Sequence, residues 1–187
     1  MLYTDRCAAV FGLVLATLGA SSLSAQERTI FDKANRTTVG DWAVECMANT
    51  ESTEGKCQVY QRVLTQDPNT AAMVVALAWS LPKDALLAQI SLPLGSDLTE
   101  PPLLSIDGKV AANFTWSRCV SSGCLVEAAL PDALIAALVR GKSAKFTVVQ
   151  PNGGEIAIPL SLTGLAEALD RIIPKNAMPA VTADDGG

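Results

Sequence analysis

The sequence contains no histidine among its 187 residues. Without an imidazole, this chain by itself cannot form a Ser-His-Asp triad, a Cys-His pair, a His-ligated zinc site or a proximal-histidine haem site. Acid–base chemistry would fall to carboxylates, lysine, tyrosine or cysteine. The absence therefore excludes most familiar enzyme classes, and we expect no enzymatic activity, no catalytic residue, no metal and no cofactor.

Basic residues and aromatic residues are also scarce. Fourteen Lys and Arg stand against nineteen Asp and Glu, which gives a net charge of −5, and aromatics make up 5% of the chain. A nucleic-acid surface needs clustered cations, so no nucleic-acid partner is expected. Apolar residues make up 49% and charged residues 18%, which is typical of a folded domain and excludes an intrinsically disordered chain.

Only one long apolar run is present, and it lies at the amino terminus. The stretch from Cys7 to Ala20 follows Arg6 and precedes a run of small residues that ends at Ala25. This pattern predicts a secretory signal peptide over residues 1–25, cleaved after Ala25, with an uncleaved anchor as the alternative. No second run of spanning length follows, so no transmembrane segment is expected in the mature chain.

Removing the signal peptide leaves four cysteines, Cys46, Cys57, Cys119 and Cys124. An even number in an exported chain predicts disulfides, for which three connectivities exist. The local pairs Cys46–Cys57 and Cys119–Cys124 are favoured because each pair brackets a short, polar, turn-rich loop. A four-cysteine zinc site is the alternative, but ten residues between the first two cysteines are too many for the usual ligand spacing.

The rest of the chain is dominated by apolar residues that alternate with a period of two, which indicates strands. The predicted strands cover residues 42–44, 58–64, 73–81, 86–92, 103–106, 114–116, 125–130, 145–149 and 156–162. Pro159 predicts that the last of them is an edge strand or carries a bulge. Two short helices are predicted over Pro131–Arg140 and Leu165–Ile172, the second with Thr163 as a candidate cap.

These elements predict a mainly β protein: a single β-sandwich-like domain with two short helices and two local disulfides. The domain is expected over residues 39–173. Residues 26–38 are expected to form a flexible amino-terminal arm, and residues 174–187 a flexible tail.

Three residues are candidates for an interaction site: Trp42, Trp116 and Arg118. The two tryptophans lie close in sequence to the cysteine loops, and packing of the indole ring on a disulfide explains their position as well as a recognition role does. Trp79 has the inward parity of its strand and is expected in the core. The carboxylates show no spacing typical of an acid–base pair; they are Asp41, Glu45, Asp97, Asp107 and Glu127.

The order of several short motifs resembles the invasion-associated locus B family of exported bacterial proteins. The motifs are Gly40-Asp41-Trp42 before Cys46, Pro93-Leu94-Gly95, Ile106-Asp107-Gly108, Arg118-Cys119 with Gly123-Cys124, and Ser161-Leu162-Thr163-Gly164. The resemblance implies a periplasmic protein, with outer-membrane association or secretion as alternatives, that has a β-sandwich-like fold and local disulfides. It supplies no catalytic residues.

The leading hypothesis is a non-enzymatic protein-interaction module of the bacterial envelope, whose partner is an unknown envelope or host protein. The family is linked to host-cell invasion, but fold and family alone do not transfer that role. A small-ligand carrier for a metabolite or lipid, with a cavity near Trp79 and Ile90, is the alternative. A hydrolase that uses Asp41, Asp97 and Asp107 ranks third.

Overall fold

The computed structural model describes residues 36–47, 56–67 and 71–177. The predicted signal peptide, residues 26–35 of the predicted arm and residues 178–187 of the predicted tail lie outside this part of the chain. The elements, in chain order, are β1 (Arg36–Val39), β2 (Trp42–Cys46), β3 (Cys57–Leu64), β4 (Ala71–Ser80), β5 (Ala85–Leu92), β6 (Leu103–Ile106), β7 (Lys109–Asn113), β8 (Trp116–Val120), β9 (Gly123–Ala129), α1 (Asp132–Arg140), β10 (Ala144–Val149), β11 (Glu155–Leu160) and α2 (Leu165–Asp170).

The strands form two antiparallel sheets. The larger sheet has seven strands in the order β1-β2-β3-β4-β5-β9-β8, and the smaller has four in the order β11-β10-β6-β7. One hydrophobic core lies between the sheets and the two helices. The prediction of a mainly β, sandwich-like single domain with two short helices is confirmed.

Alternation of side chains explains why one face of the large sheet is buried. On β4, Met73, Val75, Leu77 and Trp79 are all buried, while the residues between them are half-buried. The same period on β5 buries Leu86, Ala88, Ile90 and Leu92. Because successive side chains of a strand point to opposite faces, each run delivers four side chains to one core.

The smaller sheet ends at β11, which confirms the interpretation of Pro159. This proline is exposed and pairs with Lys145 of β10 on one side only. A proline lacks the N–H that a central strand needs, so it is accommodated at an edge. The predicted hairpin at residues 151–154 joins β10 to β11.

Three local predictions were wrong. Residues 36–38, assigned to the arm, form β1 with Val39 and pair with β2. Residues 114–116 were predicted as one strand, but residues 114–115 connect β7 to β8, and Trp116 begins β8. Strand β7 was missed because its side chains are mostly exposed and do not alternate. Thr163 does not cap α2: the residue before this helix is Gly164, and no side chain caps it.

Both predicted disulfides are present, Cys46–Cys57 and Cys119–Cys124. In each pair, the two cysteines lie directly opposite one another on neighbouring strands. The register of the large sheet carries Cys57 and Cys124 to opposite ends of the strands. They are six residues apart in register, roughly 20 Å at the usual rise per residue. The two disulfides therefore lie at opposite ends of the large sheet.

Candidate interaction surface

The end of the large sheet that carries Cys119–Cys124 presents two adjoining segments, residues 93–100 and 116–124, which we call the hairpin end. The Ser91 hydroxyl donates to the Ser122 carbonyl at 3.3 Å, and the Trp116 indole N–H donates to the Glu100 carbonyl at 2.9 Å. The first bond joins β5 to the turn of the β8–β9 hairpin, and the second joins the β5–β6 loop to β8. A rigid scaffold with anchored loops is a common arrangement for binding.

Three large apolar side chains are exposed on the hairpin end. The exposed fractions are 57% for Leu94, 51% for Leu98 and 40% for Val120. Isolated apolar side chains are normal on a protein surface, but a group on one end of the molecule is typical of contact sites.

Arg118 belongs to the hairpin end, lies on the outer face of the large sheet, and is fixed by a carboxylate. Its two terminal nitrogens donate to Glu127 at 2.5 and 2.9 Å, and the Gln89 amide donates to the same carboxylate at 2.8 Å. Bonding to Arg118, followed by bonding to Gln89, lowers the pKa of Glu127. The ion pair with Glu127 holds Arg118 in one orientation and also neutralises its charge. The site is therefore defined by its shape more than by a net charge.

Trp42, predicted as an interaction residue, does not lie on the surface. It is 1% exposed, and its indole N–H donates to the Ser161 carbonyl at 3.0 Å. Trp116 is half-buried and Arg118 is exposed. Of the three predicted interaction residues, the structure brings only Trp116 and Arg118 to one place, on β8.

Trp42 belongs to a polar seam between β2, β3 and the chain after β11. The Gln61 amide donates to the carbonyls of Asp41 and Ser161 at 3.3 and 3.2 Å, and its oxygen accepts from the Ser161 N–H at 2.9 Å. The Ser161 hydroxyl donates to the Asp41 carboxylate at 2.6 Å. Gln61 was missed by the sequence reasoning, although a glutamine at the inward parity of β3 was a usable signal.

Two glycines allow the backbones to meet at this seam. Both Gly40 and Gly164 have positive φ, +56° and +84°. A methyl group on Gly40 would collide with the Thr163 carbonyl, and one on Gly164 would collide with the Val39 carbonyl. Only glycine fits such a close approach of two backbones.

The carboxylates considered for hydrolysis are held in structural hydrogen bonds. Asp107 accepts from the backbone N–H groups of Ser143 and Lys142, which lowers its pKa. Asp97 accepts from the hydroxyl and the N–H of Thr99, which lowers its pKa as well. A group with a lowered pKa is a weak general base at neutral pH. Within residues 36–47, 56–67 and 71–177, no cluster of His, Cys, Asp and Glu suits a metal ion.

The space between the two sheets is filled. The apolar void there, bordered by residues such as Ile90, Leu104 and Phe146, measures about 20 Å³. Ligand pockets usually measure about 300–1,000 Å³. The predicted ligand cavity near Trp79 and Ile90 is therefore absent from the described part of the chain.

The family model of the Invasion associated locus B (IalB) protein matches residues 42–173. The chain belongs to this family. The match confirms the resemblance derived from the motifs and runs from β2 to the end of the described core.

Two relatives of this locus B protein come from Brucella abortus. An Invasion protein B homolog of strain 2308 is 31% identical over 172 residues, which covers 86% of this chain and 93% of the relative. A homolog from biovar 1, strain 9-941, matches equally well. The crystal structure of invasion associated protein b from Bartonella henselae has a TM-score of 0.63, covers 73% of this chain and 94% of that chain, and is 21% identical. This last comparison shows the shared fold.

In this locus B protein, two of the motifs that carry the resemblance form the seam. Gly40-Asp41-Trp42 and Ser161-Leu162-Thr163-Gly164 contact one another through the bonds described above. Their role in this fold is structural. Two disulfides in a member of this family are typical of an exported protein. Neither helix in the described part of the chain has the length and apolar character of a membrane span.

Proposed function

We propose that this locus B protein is an exported envelope protein that acts, without catalysis, as a protein-interaction module. The observation that carries the proposal is the hairpin end. It combines exposed Leu94, Leu98 and Val120 with the cross-linked β8–β9 hairpin and with a β5–β6 loop that is anchored by the hydrogen bond from Trp116 to Glu100. Apolar anchors on a rigid support lose little conformational entropy on binding, which favours affinity.

The absence of catalysis is supported by how the carboxylates are used. Asp41 accepts from Ser161, Asp107 accepts from the loop before β10, and Glu127 accepts from Arg118. Each of these carboxylates holds part of the fold, and hydrogen bonding lowers the pKa of Asp107 and of Glu127. A small-ligand carrier is disfavoured by the filled space between the sheets.

The compartment that we propose is the periplasm. Disulfides form and persist there, and the amino-terminal sequence has the pattern of a secretory signal. Fractionation of cells followed by amino-terminal sequencing tests both points, with outer-membrane association and secretion as the other outcomes. Recovery of an uncleaved chain in the cytoplasm would refute the proposal.

Crosslinking in intact cells tests the interaction role. Val120 and Val110 are both exposed valines on edge strands, 40% and 63% exposed, but only Val120 belongs to the hairpin end. We expect Val120→Asp to reduce capture of a discrete heavier species by at least about tenfold, since a desolvated charge in an apolar contact is costly. Val110→Asp is the matched control and should capture the partner like the wild type.

A clean monomer in the native envelope, with no discrete crosslinked species, would refute the interaction role there. Equal loss of capture in both valine variants would refute the choice of surface. The relatives are named invasion proteins, so the same variants are to be tested against host-cell membranes. Capture of a host protein that Val120→Asp abolishes would support a host partner.

A further inference from the structure

The four outer edges of the two sheets are each protected against an added strand. Edge β11 contains Pro159, and edge β1 has four residues. Edge β7 has an extra residue, Ala111, between two paired positions, and edge β8 has Ser117 in the same role. Short edges, prolines and bulges all hinder strand pairing. Partner binding along these edges is therefore disfavoured.

A further segment of backbone edge lies inside the large sheet, at β9. Strand β8 pairs with β9 only as far as Val126, so the segment Glu127–Ala129 has β5 on one side and no strand on the other. The Leu130 N–H donates to Leu86 of β5 at 2.8 Å, while the Glu127 N–H donates away from β5 to the Ser117 hydroxyl at 3.1 Å. Since N–H groups alternate along a strand, the N–H and C=O of Ala129 also face away from β5.

These backbone groups face a slot of about 620 Å³. Its walls are residues 127–129 of β9, residues 111–115 and the first turns of α1. Consecutive residues of β9 line the slot, as expected when a backbone edge forms the wall. Half of the twelve lining residues are alanines, namely Ala111, Ala112, Ala128, Ala129, Ala133 and Ala137.

We propose that this slot receives an extended segment of a partner's polypeptide chain, which pairs with the free edge of β9 as a short added strand. Backbone N–H and C=O groups are the chemistry that a strand edge recognises, and alanine-lined walls accept apolar side chains at alternating positions. The inference rests on the proposed function and identifies the kind of segment that the partner offers.

The experiment uses the mature full-length chain and peptides selected from a displayed random heptapeptide library. A synthetic copy of the selected peptide is titrated by fluorescence anisotropy. Ala129→Pro removes the N–H that faces the slot and leaves the bonds to β5 intact. We expect the affinity to fall at least about tenfold, because one main-chain bond is lost and the proline ring adds bulk.

Two further variants keep the test independent of folding effects. Ala133→Leu fills the slot from α1 without touching the strand, and we expect a similar loss of affinity. Ala157→Pro is the matched control, since Ala157 lies two residues before Pro159 on edge β11 and its N–H also faces outward. This variant should bind the peptide like the wild type. In the wild type, peptide should slow hydrogen exchange of the Ala129 amide.

Failure to select any peptide that binds tighter than about 1 mM would overturn the inference. Equal affinity of wild type, Ala129→Pro and Ala133→Leu for the selected peptide would also overturn it. In cells, a crosslinked partner that is lost with Val120→Asp but kept with both slot variants would leave the proposed function standing and remove the slot. Binding of the selected peptide at the slot, with no crosslinked partner in the envelope, would support the slot and refute the proposed function.

Discussion

Replacing Gln61 by leucine is expected to destabilise this protein far more than the same change at a neighbouring position. The Gln61 side chain is 6% exposed and makes three hydrogen bonds across the seam, two to Ser161 and one to Asp41. Leucine has a similar volume but cannot form any of them. The seam would lose bonds while the core stays filled.

The expected loss of stability depends on which hydrogen-bond partners of Gln61 keep another bond in the variant. The Ser161 carbonyl keeps the Trp42 indole N–H, whereas the Ser161 N–H loses its acceptor. An orphaned buried N–H costs about 1–3 kcal/mol, and the weaker bond to the Asp41 carbonyl adds about 0.5–1 kcal/mol. We expect the free energy of unfolding to fall by about 2–3 kcal/mol, which corresponds to roughly 6–10 °C in Tm for a domain of this size.

The assay is urea unfolding followed by tryptophan fluorescence, with Gln58→Leu as the matched control. Gln58 lies on the outward parity of the same strand and makes one long bond, 3.3 Å, to Glu45. Its replacement should cost less than about 1 kcal/mol, as is usual for surface changes. Equal losses of stability in the two variants would show that the seam contributes nothing special and would refute the reasoning.

Three further predictions concern stability. Gly164→Ala should lower the free energy of unfolding in urea by about 3 kcal/mol, because alanine would have to adopt a left-handed backbone and its methyl group would collide with a neighbouring backbone. Gly153→Ala is the control: Gly153 has a similar φ of +82° but open space around it, so the loss should be about 1–2 kcal/mol. Asp107→Asn should destabilise at pH 7, and its difference from the wild type should shrink as the pH falls below about 4. Replacing both Cys119 and Cys124 by alanine should lower the free energy of unfolding by about 2 kcal/mol, the entropy of a small loop.

The sign of the pH effect follows from the lowered pKa of Asp107 in the fold. A carboxylate whose pKa is lowered by folding stabilises the protein above its unfolded pKa and loses that contribution as the pH falls through its folded pKa. A difference between wild type and Asp107→Asn that grows on acidification would contradict this account. Equal losses of stability in Gly164→Ala and Gly153→Ala would contradict the glycine prediction. An unchanged urea midpoint in the double cysteine variant would contradict the disulfide prediction.

The sequence by itself determined the features that depend on neighbours along the chain. Period-two alternation identified most strands, Pro159 identified an edge, and the short loop between Cys119 and Cys124 identified a disulfide. In each case the two interacting groups are close in sequence, or the property belongs to one residue. The order of the motifs was also sufficient to identify the family, because motif order requires no coordinates.

Tertiary structure alone decided which distant groups meet. Trp42 and Ser161 are 119 residues apart in sequence, and they form a hydrogen bond in the fold. Trp42 was predicted as a recognition residue, but this contact holds it in the interior. The same holds for the two disulfides, whose positions at opposite ends of the sheet depend on the register of four strands, β3, β4, β5 and β9. The free edge of β9 exists only because β8 pairs with half of its length. Register and crossover positions are set by packing of the whole core, and no local pattern in the chain encodes them.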